Sequence, residues 1–129
     1  MIAFSAKEVE SLRNFLYKSA FHDACVCNVE FINLDHKSSN LHMTLCNKCV
    51  KVQIDVHFED VAIVSSVEWE DDTTLVWFGV EDKDLALTNF LAEHDFKEED
   101  KLYLGFQFLS LREMKLLCRK ITIAETSLC

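Results

Sequence analysis

The feature that most constrains the fold of this chain is the strict alternation of apolar and polar residues over positions 41–58. A two-residue period is typical of strands with one buried face, and two such runs joined by a polar dipeptide predict a β-hairpin. A two-residue turn at 47–48 sets its register. The expected apolar pairs are Leu45–Val50, Met43–Val52 and Leu41–Ile54, and the expected polar pairs are Cys46–Cys49, Thr44–Lys51 and His42–Gln53.

The same reasoning predicts the other elements. Ser5 followed by Glu8 is a capping box, and apolar residues at helical spacing after it predict a helix over 5–20. Alternation predicts strands over 25–31, 61–69, 75–79 and 102–108 and a closing hairpin that includes 114–124. The strand over 61–69 is expected to turn at 70–73 and return as the strand over 75–79. A short helix is expected within 82–96, with Leu85, Phe90 and Leu91 as its apolar stripe.

These elements predict a single domain over residues 1–129. The fold class is α+β, with the N-terminal helix packed on a curled, mostly antiparallel sheet or half-barrel of about seven strands. No apolar run approaches the length that a bilayer requires, and charged residues interrupt the N-terminus, so a cytoplasmic protein is expected.

The charge of the chain is concentrated in one segment. Residues 68–100 contain twelve Asp and Glu against two Lys, a balance of −10, whereas the whole chain carries −9. Such a field disfavours nucleic acid and anionic membranes as partners and speeds association with basic proteins. The alternative is an acidic face that only maintains solubility.

The six cysteines raise the question of zinc or thiol chemistry. In the predicted hairpin Cys46 and Cys49 face each other, and His42 lies four residues along the strand, about 13 Å away. Cys25 and Cys27 share a predicted strand face with Val29 and Phe31, which is typical of a core. We therefore expect reduced thiols, no metal and no cofactor.

Catalytic residues are not expected. The sequence has no nucleophile elbow and no phosphate-binding loop, and its two glycines, Gly79 and Gly105, lie within strand patterns, where bulges or close packing are the usual reason for glycine. For His22 and Asp23 we expect a structural role, with Asp23 bonded to backbone where helix meets strand.

Several short motifs resemble one family. They are Phe21-His22-Asp23-Ala24, Val56-His57-Phe58-Glu59-Asp60-Val61, Leu104-Gly105-Phe106-Gln107-Phe108 and Leu116-Leu117-Cys118-Arg119-Lys120-Ile121-Thr122-Ile123. This pattern is similar to the small β-rich immunity proteins of bacterial polymorphic toxin and contact-dependent growth inhibition systems, except that Ser110-Leu111-Arg112 stands where a glycine is usual. The resemblance implies a non-enzymatic cytoplasmic protein that binds the toxin domain of its own strain and blocks its active site.

Charge and resemblance together predict the binding surface. An acidic inhibitor can cover the basic surface with which a nuclease toxin binds phosphates, and Trp69 or Trp77 would serve as an aromatic anchor unless both are core residues. The expected protein is a monomer or weak dimer; the alternatives are a small zinc- or thiol-dependent protein and a non-catalytic assembly subunit. The candidate partner-binding residues are Glu68, Trp69, Glu70, Asp71, Asp72, Asp82, Asp84, Glu98, Glu99 and Asp100.

Overall fold

The computed structural model describes residues 1–19, 21–33, 39–65, 74–94, 101–109 and 112–127. Within these ranges there are nine strands, two α-helices and one 3-10 turn. The strands are β1 (Ile2–Ser5), β2 (Cys25–Asn33), β3 (Ser39–Asn47), β4 (Val52–Glu59), β5 (Ala62–Ser65), β6 (Leu75–Val80), β7 (Leu102–Phe108), β8 (Glu113–Cys118) and β9 (Lys120–Ser127). The helices are α1 (Val9–Lys18), which follows the 3-10 turn Ala6–Glu8, and α2 (Leu85–His94).

The strands form two antiparallel sheets. Sheet A has the order β1-β9-β4-β3-β2, and sheet B has the order β5-β8-β7-β6. The α+β class and the antiparallel pairing are therefore confirmed. The expected curled sheet or half-barrel of about seven strands is matched only in part, because the described residues form nine strands in two separate sheets. The chain passes between the sheets at two neighbouring bends. Strand β4 leads into β5 at Asp60, where φ is 57°, and β8 leads into β9 at Arg119. The Arg119 N–H donates to the Glu59 carbonyl at 2.9 Å and joins the two bends.

The inner faces of the two sheets and one face of α1 enclose a single large core. Leu12 and Leu16 of α1 are buried, and Val9 and Phe15 pack against the same core, as their helical spacing predicts. The capping box is present, since the Glu8 carboxylate accepts the Ser5 N–H at 3.3 Å. It opens the 3-10 turn rather than the α-helix itself, so the helix is shorter than the predicted 5–20, and the short strand β1 was not predicted.

The β3–β4 hairpin exists, but its predicted register is wrong. Asn47 pairs with Val52, so the turn contains the four residues 48–51, and Lys51 adopts a positive φ of 57°. Asn47 stabilises this longer turn, because its side-chain oxygen accepts the N–H groups of Cys49 at 3.0 Å and Val50 at 3.3 Å. The observed pairs that replace the predicted ones are Leu45–Ile54, Met43–Val56, Leu41–Phe58, Cys46–Gln53, Thr44–Asp55 and His42–His57.

The predicted inward face of β2 is correct for Val29 but wrong for Cys25 and Cys27. The register with β3 shifts between Val26 and Asn28, which makes Cys27 the extra residue of a β-bulge. One extra residue exchanges the two faces of a strand, so Val26 and Val29 pack against the core while Cys25 and Cys27 are exposed. Phe31, which was assigned to the core face, is 56% exposed.

Strands β5 and β6 were expected to pair across an acidic turn, and they do not. They form opposite edges of sheet B, with β8 and β7 between them. Strand β6 instead begins beside sheet A, where the Leu75 N–H donates to the Ala24 carbonyl at 2.8 Å and Cys25 and Thr74 form an isolated bridge. The predicted closing hairpin is confirmed for β7 and β8, with Leu102 opposite Cys118. Its segment 114–124 is not one strand, however, because it divides at Arg119 into β8 and β9, which belong to different sheets.

Helix α2 covers part of the outer face of sheet B. Leu87 of the helix packs with Tyr103 of β7 and Leu117 of β8 in a small second cluster, to which Phe90 and Leu91 also contribute. Leu85 was predicted to belong to this apolar stripe, but it is 73% exposed. Because α2 buries the outward residues of β7, this strand is buried on both faces over most of its length.

Candidate functional site

Both glycines of the chain lie opposite each other on the outer face of sheet B. Gly79 of β6 pairs with Gly105 of β7, which in turn pairs with Lys115 of β8. The side chains of Trp77 in β6 and of Glu81, the residue after β6, occupy the space that a Cβ atom would need. An added Cβ at Gly79 would lie 2.5 Å from the Trp77 indole, and one at Gly105 would clash with the Glu81 carboxylate. We call these residues, with Lys115, the glycine shelf.

A second β-bulge turns Trp77 to the outside. The register between β6 and β7 shifts between Leu75 and Trp77, so Leu75 is fully buried whereas Trp77 is 42% exposed. The alternative that both tryptophans are plain core residues is therefore wrong for Trp77. An indole that packs against a glycine and keeps two-fifths of its surface in water is suited to contact with a partner.

The carboxylates beside the shelf differ in their surroundings. Burial raises the pKa of Glu81, against the opposing effect of Lys115, and the charges of Asp84 and Glu113 raise it further. Burial also acts to raise the pKa of Asp84, but hydrogen bonds from Lys115 and the Leu87 N–H outweigh it and hold this pKa below its usual value. The cation of the shelf is therefore already engaged by Asp84, and Glu81 remains a partly desolvated carboxylate next to an exposed indole.

Asp84 anchors the start of α2. Its side chain accepts hydrogen bonds from the Leu87 N–H at 2.9 Å, from the Tyr103 hydroxyl at 2.9 Å and from Lys115 Nζ at 2.6 Å. A carboxylate at a helix N-terminus satisfies a free backbone N–H and interacts favourably with the helix dipole. Its role in partner binding stays a prediction, but these three bonds give it a structural role that the sequence did not indicate.

Asp82 is the other described acidic candidate. Its side chain is 95% exposed and forms a long ion pair of 3.9 Å with Arg13 of α1. The remaining candidates, Glu68, Trp69, Glu70, Asp71, Asp72, Glu98, Glu99 and Asp100, lie outside the described residues. Ser65, the last described residue before the candidates at 68–72, ends β5, and Thr74, the first described residue after them, precedes β6. These two strands form opposite edges of sheet B.

His22 and Asp23 lie in the turn between α1 and β2. The imidazole and the carboxylate contact each other at 3.1 Å, and both side chains are more than half exposed. Their backbone makes the connections, because the Asp23 N–H donates to the Leu75 carbonyl at 2.9 Å and the His22 carbonyl accepts Asn47 Nδ2 at 3.0 Å. Asp23 has a φ of 67°, a conformation that Asp tolerates better than most residues. The observed connections to other elements are made by the backbone of these two residues, so the structural role that we expect for their side chains stays a prediction.

A separate polar group occupies the outer face of sheet A. His42 and His57 stack with ring centroids 4.1 Å apart, and His42 Nε2 lies 3.4 Å from Asp55 Oδ1 without a regular hydrogen bond. Burial and the charge of His42 lower the pKa of His57. In the part of the chain that the structure describes, no group of three or more His, Cys, Asp or Glu side chains is arranged to hold a metal ion.

The sequence did not indicate the glycine shelf, because two of its members, Glu81 and Lys115, had no individual signal. Glu81 belonged to the acidic count but to no site, and Lys115 was one polar residue in an apolar strand. A usable signal was present, since the only two glycines of the chain lie in strands that pair with each other. Finding their cross-strand contact required the register of β6 and β7.

Comparisons with known proteins add nothing to this geometry. Neither the protein-family models, nor the curated proteins, nor the solved structures include a match to the chain. Over the described residues, neither helix has the length and apolar character needed to cross a bilayer.

Proposed function

We propose that this protein is an immunity-type inhibitor, which binds a basic toxin domain through its acidic half and covers the active site of that domain. The proposal also places it in the cytoplasm, as a monomer or weak dimer without catalytic activity, cofactor or metal. The resemblance described above motivates the proposal, and the partition of charge between the two sheets supports it.

That partition is the observation on which the proposal depends. Every described residue from Ala62 to Cys118 belongs to sheet B, to α2 or to their connections, and the segment 68–100 with its balance of −10 lies within this stretch. Residues 62–118 as a whole carry thirteen acidic and five basic side chains, a balance of −8, whereas residues 1–61 and 119–129 together carry −1. We therefore expect the stretch of chain that forms sheet B and α2 to attract a basic partner more strongly than the rest of the sequence does.

The glycine shelf gives this half a contact point of suitable chemistry. Arginine is a frequent residue of nuclease surfaces that bind phosphate, and its guanidinium can stack on an indole while it pairs with a carboxylate. Trp77 and Glu81 present these two groups on one face, since the indole packs against Gly79, the carboxylate packs against Gly105, and these two glycines are paired. Desolvated in a complex, such an aromatic anchor is worth on the order of 2 kcal/mol or more of binding energy.

The first test identifies the partner. The tagged protein is used to capture proteins from lysate of its own strain at low and high salt, and retained chains are identified by mass spectrometry. The proposal expects one basic domain at stoichiometric level, whose nuclease activity the purified protein abolishes. A retained partner that is neutral or acidic, or a nuclease that stays active in the complex, would contradict the proposal.

The second test separates the long-range electrostatic attraction that speeds association from the direct contacts that slow dissociation. Replacement of Asp71 and Asp72 by lysine should slow association and flatten its salt dependence, while dissociation changes little. Trp77→Ala should instead speed dissociation. Glu125→Lys is the matched control, because Glu125 is an exposed acidic residue of β9 in sheet A and its reversal should leave both rates nearly unchanged. Equal effects of the two reversals would exclude a special role for the acidic segment.

A further inference from the structure

Three thiols meet at the edge of sheet A, outside the site described above. Cys25 and Cys46 lie directly opposite each other in the β2–β3 register, and Cys27 is the extra residue of the bulge. Cys27 Sγ donates to the Cys25 carbonyl at 3.6 Å, and both the side chain and the backbone of Cys46 form hydrogen bonds that affect the Cys27 thiol. Cys25 Sγ lies 3.4 Å from Thr74 Oγ1.

The bulge accounts for this approach. In a regular ladder every residue of β2 faces one residue of β3, but Val26 pairs with Leu45 and Asn28 with Thr44, which leaves Cys27 without a residue directly opposite. Its side chain can therefore lean toward Cys46. Strand β2 is also the edge of sheet A, with β3 as its one neighbour in that sheet, so small movements of β2 disturb few contacts.

We propose that Cys46 and Cys27 form a thiol–disulfide exchange site, which is oxidised by low-molecular-weight disulfides such as oxidised glutathione. The Cys46 thiolate attacks one sulfur of the small disulfide, so that a mixed disulfide forms and one small thiolate leaves. Cys27 then loses its proton to solvent and attacks the Cys46 sulfur, which releases the second small thiolate. In total two protein thiols and one small disulfide become one protein disulfide and two small thiols.

The order of the two thiols follows from their surroundings. Burial and the hydrogen bond to Cys46 raise the pKa of Cys27 to about 11, so this thiol is rarely ionised and is the weaker nucleophile of the two in the first step. The second step is intramolecular, and the high local concentration of the two groups offsets the small thiolate fraction of Cys27. Cys27 thiolate is the disfavoured form, so the reduced state gains little stabilisation from ionisation and the disulfide is comparatively stable. A disulfide needs Cβ atoms about 3.5–4.5 Å apart. Cys27 has no residue directly opposite it and belongs to an edge strand, so a small shift of the bulge can bring it to this distance from Cys46.

Cys49 supplies the matched control within the same chain. It is exposed in the turn after β3, on the far side of Asn47 from Cys46, and it does not belong to the thiol group of β2 and β3. Oxidised glutathione should therefore modify Cys49 without giving an intramolecular bond. If Cys46 forms an intramolecular disulfide and Cys49 forms only an adduct, this difference reflects the geometry of the site and not exposure alone.

The test treats the folded, fully reduced wild-type protein with oxidised glutathione under argon, followed by intact-mass measurement and peptide mapping. The expected product has lost two thiols as a Cys27–Cys46 link, and hydrogen exchange of the β2 amides slows. Cys27→Ser should stop at a glutathione adduct on Cys46, and Cys49→Ser should still form the link. Adducts without any link, or a link that joins Cys46 to Cys25 or Cys49, would overturn the proposal. Because the wild-type map alone decides this, a variant that fails to fold does not leave the question open.

Discussion

Replacement of Asn47 by alanine is expected to lower the free energy of unfolding by about 3 kcal/mol, at roughly 1 kcal/mol net per lost hydrogen bond. Asn47 is 3% exposed and ends β3. Its side chain accepts the N–H groups of Cys49 and Val50 and donates Nδ2 to the His22 carbonyl at 3.0 Å. One side chain thus holds the four-residue turn and fastens it to the turn that precedes β2.

Urea unfolding followed by circular dichroism measures this loss. The midpoint should fall while the slope with denaturant stays constant, because the variant exposes the same surface on unfolding. Asn28→Ala is the matched control, since Asn28 is exposed on β2 and makes a single side-chain hydrogen bond, to Glu30 at 3.2 Å. Its cost should stay within about 0.5 kcal/mol, as for most surface substitutions. If Asn47→Ala costs less than about 1 kcal/mol, or no more than the control, the three bonds do not hold the turn as argued.

Lys115→Met keeps the aliphatic packing but removes the contact with Asp84, and should cost about 1–2 kcal/mol in urea unfolding at neutral pH. Because Lys115 helps to lower the folded-state pKa of Asp84 below 3.8, this cost should shrink as pH falls through that lower pKa; a constant cost would contradict the pairing. Gly79→Ala should displace the Trp77 indole and change the near-ultraviolet circular dichroism, and a superimposable spectrum would refute the contact. Burial lowers the pKa of His57 below 6.5, so the unfolded chain binds more protons and stability should fall as pH drops below 6.5. In His57→Gln the slope of the urea midpoint against pH in this range should be smaller than in the wild type, and an equal slope would exclude His57 as its source.

Local patterns predicted the elements whose signals are contained within a few residues. The capping box at Ser5 and Glu8 and the helical spacing after it identified α1, because both depend on residues three or four apart. The faces of β3 and β4 were also correct although their register was wrong. The turn is longer by an even number of residues, so Leu41, Met43 and Leu45 still face the core.

The errors in facing have one physical cause. A β-bulge adds one residue to one strand, and a single added residue exchanges inside and outside for everything beyond it. This happened at Cys27 in β2 and between Leu75 and Trp77 in β6. Nothing in either strand alone reveals the bulge, because it is a relation between two strands. Both features that we interpret functionally, the exposed Trp77 and the thiols of β2, result from these bulges.

The sequence by itself determined the class of the fold, the helix positions, the core-facing residues of β3, β4 and β7, and the acidic balance of 68–100. These features could be predicted because periodicity, capping and charge are properties of neighbouring residues. Only the tertiary structure decided that the strands divide into two sheets, that Gly79 meets Gly105, and that Asp84 caps α2 while it binds Lys115. These pairings join residues 26 to 31 positions apart. They depend on register and on the bends at Asp60 and Arg119, which are fixed when the two apolar faces pack against each other.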